Sequence, residues 1–132
     1  MPSPDLERLL LQILFKGQPM PQELWVGLTI RKDFSPESSL EEVVGAEVGK
    51  APGYARQKLM PMDWEITTDP LAATTAGPWF RNVDDQLAWP PVYGAFVATL
   101  PSGALGSLIF WGPLKAGRVL LPGDMLRVPI DL

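Results

Sequence analysis

The sequence predicts a mainly β domain led by one short amphipathic helix. Three observations carry this. Proline (15) and glycine (12) together make up about a fifth of the chain, against a usual share of roughly an eighth, which favours short strands and tight turns over long helices. From residue 54 onward the pattern is that of strands. The one convincing helical period lies in residues 3–16. At 132 residues the chain is expected to form one domain, with a helix over 1–17 and a β unit over 18–132, large enough to bury a core without disulfides or metals.

The helix is legible at both ends. Ser3 suits the N-cap and Pro4 the first helical position. Asp5 and Glu7 fall at the positive end of the dipole, and Lys16 at the negative end. Leu6, Leu9, Leu10, Ile13 and Leu14 recur at helical spacing and predict one apolar face. Gly17 then suits the left-handed position that ends a helix.

"LWVGLTI" (24–30) alternates Leu24, Val26, Leu28 and Ile30 against Trp25, Gly27 and Thr29, a strand with one strongly apolar side. "RKDFSPESS" is a polar loop, and Ser39 with Glu42 offers a capping box for a helical turn. Residues 45–53 are loop-like. Strands are expected near 54–60, 62–68, 92–99, 105–111, 117–121 and 124–131, with "PSGALG" as a hairpin loop. Pro129 cannot donate to a ladder, so the last strand is expected to lie at an edge or to leave a partner's amide position free. Residues 69–91 are expected to be a long ordered loop with a short strand near 86–89.

Composition narrows function. There is no histidine and no cysteine, which removes the commonest general base and metal ligands. The net charge of −4 with no basic patch argues against nucleic acid as a partner. "LERLLLQILF" is interrupted by Glu7, Arg8 and Gln12, so it is expected to be neither a signal peptide nor a membrane span, and the chain is expected to be made in the cytoplasm.

Each candidate site meets a simpler explanation. "GAEVGK" has three residues between its glycines, and alanine follows the lysine, so it is not a phosphate loop. Asn82, Asp84 and Asp85 offer oxygens to calcium, but the spacing of a calcium loop is absent and a solvated turn is expected. Asp63 and Glu65 flank Trp64 on one face of a strand, with Asp69 nearby. Acid–base chemistry there needs a buried carboxyl, and a charged, exposed strand face explains the pattern. No serine lies in a nucleophile elbow. No catalytic residue, cofactor or metal site is therefore expected.

Five tryptophans supply rings for packing, for a subunit interface or for sugar stacking. Trp79 and Trp89 lie in proline-rich stretches where a binding module would place them. Trp79, Asp85 and Trp89 are the candidate sugar contacts. In "APGYARQ" (51–57), Pro52 and Gly53 set a turn. Tyr54 and Arg56 then share one strand face, Ala55 and Gln57 the other. The stretch is read as a strand-entry marker. Tyr54→Phe is expected to leave function nearly intact, and Gly53→Val to disturb folding if Gly53 has a positive φ.

The order of these signals resembles a family of small structural proteins of tailed bacteriophages, the tail-fibre or minor structural proteins. A helix leads into "LWVGLTI", then "EEVVG", then "PGYARQ" in place of the family's "GGxYAR". "NVDDQLAWP" follows, then "YGAFVATLPSGALGSLIFWGPL", then the closing "VLLPGDMLRVPIDL". The resemblance spans nearly the whole chain. It departs in "APG", in the proline-rich segment before Trp89, and in the loop after Ile30, which lacks the usual Gly and Thr. It implies an antiparallel β-sandwich of jelly-roll type. It implies a non-enzymatic virion component, at the tail tip and fibre or as a capsid decoration, forming a homo-oligomer, a trimer by preference, with other virion proteins as partners. On this reading the helix and the tryptophan-bearing segments make subunit contacts through Leu9, Ile13, Trp79, Phe80 and Trp89. The alternative is a host-attachment module binding a surface glycan.

Overall fold

The strand "LWVGLT" becomes the second of four in the largest sheet. In the computed structural model, which describes residues 3–130 apart from 22, 36, 50, 52, 61, 62, 67, 69–71 and 75–77, the elements run α1 (Pro4–Lys16), β1 (Leu24–Thr29), α2 (Leu40–Val44), β2 (Gln57–Leu59), β3 (Trp64–Ile66), β4 (Ala72–Thr74), β5 (Trp79–Arg81), β6 (Val92–Ala98), β7 (Leu108–Arg118) and β8 (Met125–Arg127). The fold is mainly strands in antiparallel sheets with a short N-terminal helix. The large sheet has the order β2-β1-β6-β7, and β3-β4 and β5-β8 form two-stranded ribbons.

The large sheet is buried on both faces, which the alternation in β1 does not reveal. Val26 and Leu28 enter one core with Ala95, Val97, Ile109, Phe80 and Leu126. Phe96, Ala98, Leu108 and Trp111 enter a second core with Leu40, Val43 and Phe34. The face of β1 that carries Trp25, Gly27 and Thr29 is thus covered too: Thr29 is buried, and Gly27 pairs with Phe96. A side chain on Gly27 would run into the Phe96 ring. Glycine is needed there because the ring lies across its backbone.

Helix α1 follows its sequence signals closely. The Ser3 hydroxyl accepts from Leu6 N at 3.2 Å, and Gly17 closes the helix at φ 69°. The N-terminus is also fastened to β7. Ser3 N donates to Ile109 O at 3.2 Å, the Ser3 hydroxyl donates to Leu108 O, and Leu108 N donates to Asp5 Oδ2 at 3.2 Å. The capping signal at Ser39 produces a short helix, α2, with Glu42 N donating to Ser39 Oγ.

Other expectations move. The strands near 54–60, 62–68 and 124–131 shorten to three residues each. No strand forms at 86–89, whereas 79–81 pairs with 125–127. The strands expected at 105–111 and 117–121 become one, because β7 runs from Leu108 through Pro113 to Arg118. Pro113 is tolerated because β7 is an edge strand, where a missing N–H is not required by a second neighbour.

Candidate functional site

The motif "PGYARQ" builds the most connected polar cluster among the described residues. Residues 46–48 lie along β1: Ile30 N donates to Ala46 O at 2.8 Å, and Val48 N to Leu28 O at 3.1 Å. This places the Glu47 carboxylate over the incoming motif. Arg56 grips it with two parallel bonds, Nε to Oε2 and Nη2 to Oε1, each 2.9 Å. The same guanidinium donates to Leu100 O at 3.0 Å and Gly103 O at 2.9 Å. Its carbon lies 5.0 Å from the centre of the Phe96 ring. Four of its five N–H donors are used, and its side chain is 1% exposed.

Tyr54 completes the cluster. Its hydroxyl donates to Glu47 Oε2 at 2.6 Å and accepts from Leu28 N at 2.9 Å. Its ring stacks on Phe80, with centroids 6.1 Å apart, and meets Trp89 edge-on at 5.7 Å. Burial, and then the negative charge of Glu47, push the phenol far above its ordinary pKa. Tyr54 therefore stays neutral and keeps its proton in the hydrogen bond to Glu47. The cluster joins the two cores at the edge of β1: the Tyr54 ring packs in one, and the Arg56 guanidinium lies on Phe96 of the other. It also pins the β6–β7 loop. Every charge in it is matched and covered, which suits a structural anchor.

The strand-entry reading of this stretch understates it. Gly53 does adopt a positive φ, 71°, whereas Pro52 lies outside the described residues. Arg56 precedes β2, and Tyr54 lies in irregular chain. Glu47, their shared partner, carries no local signal in "GAEVGK". Its only sequence clue is an acidic residue upstream of a Tyr/Arg pair that needs an acceptor.

The expected contact residues divide. Leu9 is buried in the main core, and Ile13 packs against it. Phe80 and Trp89 are fully buried, held by Tyr54 and, for Trp89, by its N–H bond to Leu120 O at 3.0 Å. Leu9, Phe80 and Trp89 are thus corrected from surface contacts to core residues: each fills space inside its own chain. Trp79 remains outside, 51% exposed on the outer face of β5. The sugar platform of Trp79, Asp85 and Trp89 is corrected likewise, since Trp89 offers no open ring face. Asp85 is exposed in the turn after Asn82.

The acidic candidates hold turns. Asn82 is buried rather than solvated. Its amide donates to Leu87 O and Leu120 O, at 2.8 and 2.9 Å, and its Oδ1 accepts from Asp84 N at 3.0 Å. Asp84 accepts from Gln86 N, and this main-chain donor, the leading cause, lowers its pKa. Asp63 precedes β3, and its carboxylate accepts from Met60 N at 2.8 Å. It therefore does not share a strand face with Glu65. Asp69 lies outside the described residues. Among the described residues no three acidic side chains gather as metal ligands, and no helix is long and apolar enough to cross a membrane.

The surface feature that stands out is the far side of α1. The apolar face expected from Leu6, Leu9, Leu10, Ile13 and Leu14 splits in two. Leu6, Leu9 and Ile13 turn inward. Leu10, Leu11, Leu14 and Phe15 turn to solvent, with Leu14 72% and Phe15 75% exposed. Neither Leu11 nor Phe15 belongs to the core-facing repeat, so a period-based reading passes over them. No protein-family model matches the chain, and no curated protein sequence matches it.

Proposed function

We propose that the chain is a non-enzymatic structural subunit that assembles with copies of itself through the outer face of α1. The observation that carries this is the cluster of Leu10, Leu11, Leu14 and Phe15 on one exposed helix face. A contiguous apolar patch of this kind marks an interaction surface. Fully burying such side chains is worth about 1.5–3 kcal/mol each. A second copy is the occupant that fits best. The same helix in each subunit meets its equivalent around a cyclic axis, the commonest symmetry of soluble oligomers, and α1 is fastened to β7 at its N-terminus, so the face is held in place.

In this reading the large sheet and the β5-β8 ribbon are the layers of a β-sandwich of jelly-roll type. The ordered motifs from "LWVGLTI" to "PGDMLRVPIDL" support a virion component of a tailed phage. Three copies about α1 is the arrangement we favour. The anchored Glu47–Tyr54–Arg56 cluster suits that role, because a subunit that works by shape needs fixed loops. Native mass spectrometry tests the assembly: a defined oligomer is expected, and a strict monomer would overturn it. An electron-microscopy map of the particle tests the virion assignment.

A further inference from the structure

The edge strand β7 carries a second surface, separate from α1. Between the pairs Gly94↔Pro113 and Val92↔Arg118, four residues of β7 stand opposite Tyr93 alone. This bulge bows the strand, and such bulges re-aim side chains at functional edges. Beside it, β7 and residues 126–130 leave a cleft of about 560 Å³. The cleft has apolar walls from Phe110, Leu126 and Val128, and every charged residue lining it is a cation: Lys115, Arg118 and Arg127. In a chain of net charge −4, this is a local reversal of sign. Among the described residues neither Lys115 nor Arg118 has an acidic partner within ion-pair distance.

β7 has β6 on one side only. The start of its other edge is taken by Ser3 and Asp5. From Gly112 to Arg118, no main-chain hydrogen bond to a segment other than β6 is formed among the described residues. An open edge is a template for another strand. Main-chain bonds supply affinity in such additions, and pockets for alternate side chains supply specificity.

We propose that this cleft receives an extended acidic peptide segment of a partner protein, laid beside β7 as a further strand. Alternate apolar side chains enter between β7 and residues 126–130, and the intervening carboxylates meet Lys115 and Arg118. The proposal does not rest on the α1 interface, and its failure leaves that interface untouched.

The test uses the whole chain and a fluorescent peptide of about eight residues alternating valine with glutamate. Fluorescence anisotropy should show saturable binding that weakens with salt. The same peptide with lysine for glutamate should bind at least about tenfold more weakly, and Lys115→Glu with Arg118→Glu should weaken the acidic peptide by a similar factor. Both positions are exposed, and circular dichroism checks that the double variant is folded. N-methylation of alternate peptide amides should abolish binding. Equal binding of the two peptides, or binding unchanged in the double variant, would overturn the charge reading. Retained binding of the N-methylated peptide, with full displacement by decanoate, would overturn strand addition and assign the cleft to a small anionic amphiphile. Self-association lost in the double variant, with no peptide binding, would assign it to a second copy instead.

Discussion

Removing Glu47 strands a guanidinium. In Glu47→Ala, Arg56 loses both of its carboxylate bonds, and the Tyr54 hydroxyl loses its acceptor. Arg56 keeps only Leu100 O and Gly103 O, with its side chain 1% exposed. Breaking a buried pair by removing one partner costs about 3–5 kcal/mol, because the remaining charge stays uncompensated. Against a total stability of about 5–15 kcal/mol for a domain, this is a large fraction. For a chain of this size each kcal/mol shifts the melting temperature by about 3–6 °C, so a fall of about 9–30 °C is expected. Differential scanning calorimetry measures it. A double-mutant cycle with Arg56→Met sharpens the test. Removing both charges should recover part of the loss, giving a coupling of about 1.5 kcal/mol or more. Hydrogen exchange should quicken at 100–103 in Arg56→Met, since that loop loses both of its bonds to the guanidinium. A melting temperature for Glu47→Ala within about 2 °C of the parent, or strictly additive single effects, would refute the anchor.

Two further outcomes follow from the same region. Tyr54→Phe removes the bond to Glu47 and leaves Leu28 N without its acceptor, so about 1–3 kcal/mol of stability is expected to go, even where assembly persists; urea denaturation reads it. The raised phenol pKa adds a pH signature. The folded state holds the Tyr54 proton above the unfolded value of about 10, so stability is fully present below that pH and falls by about 1.4 kcal/mol per unit above it. Tyr54→Phe should flatten this slope, and an unchanged slope would show that another group causes it. Gly53→Val combines a left-handed φ of 71° with a clash against Val83, and a loss of about 1–3 kcal/mol is expected; an unaltered denaturation midpoint would show that the turn adapts freely.

What the sequence reveals here is local structure. α1 announced itself because each of its signals acts within one turn: the cap at Ser3, the proline at Pro4 and the glycine at Gly17. β1 and β6 showed through their apolar alternation and runs. The long-range features were hidden. Glu47 pairs with Arg56 nine positions on, through chain with no regular period. Trp89 lies among prolines, which suggests a surface loop, yet Tyr54 meets it edge-on and it is buried in the main core. "GPLKAG" holds a proline and two glycines, yet β7 continues through it because an edge strand needs bonds on one side only. On α1, periodicity identifies apolar residues without saying which of them the core will use, so it groups Leu10 and Leu14 with residues that face inward although both are exposed.

The proposed joining of subunits through α1 is tested most directly by the mass of the native assembly in solution. Size-exclusion chromatography with light scattering should give a discrete oligomer for the parent chain. Leu14→Glu with Phe15→Glu should give a folded monomer, because both side chains face solvent and neither supports the core. A parent that is monomeric at every concentration, or a double variant that keeps the parent's mass, would contradict the account.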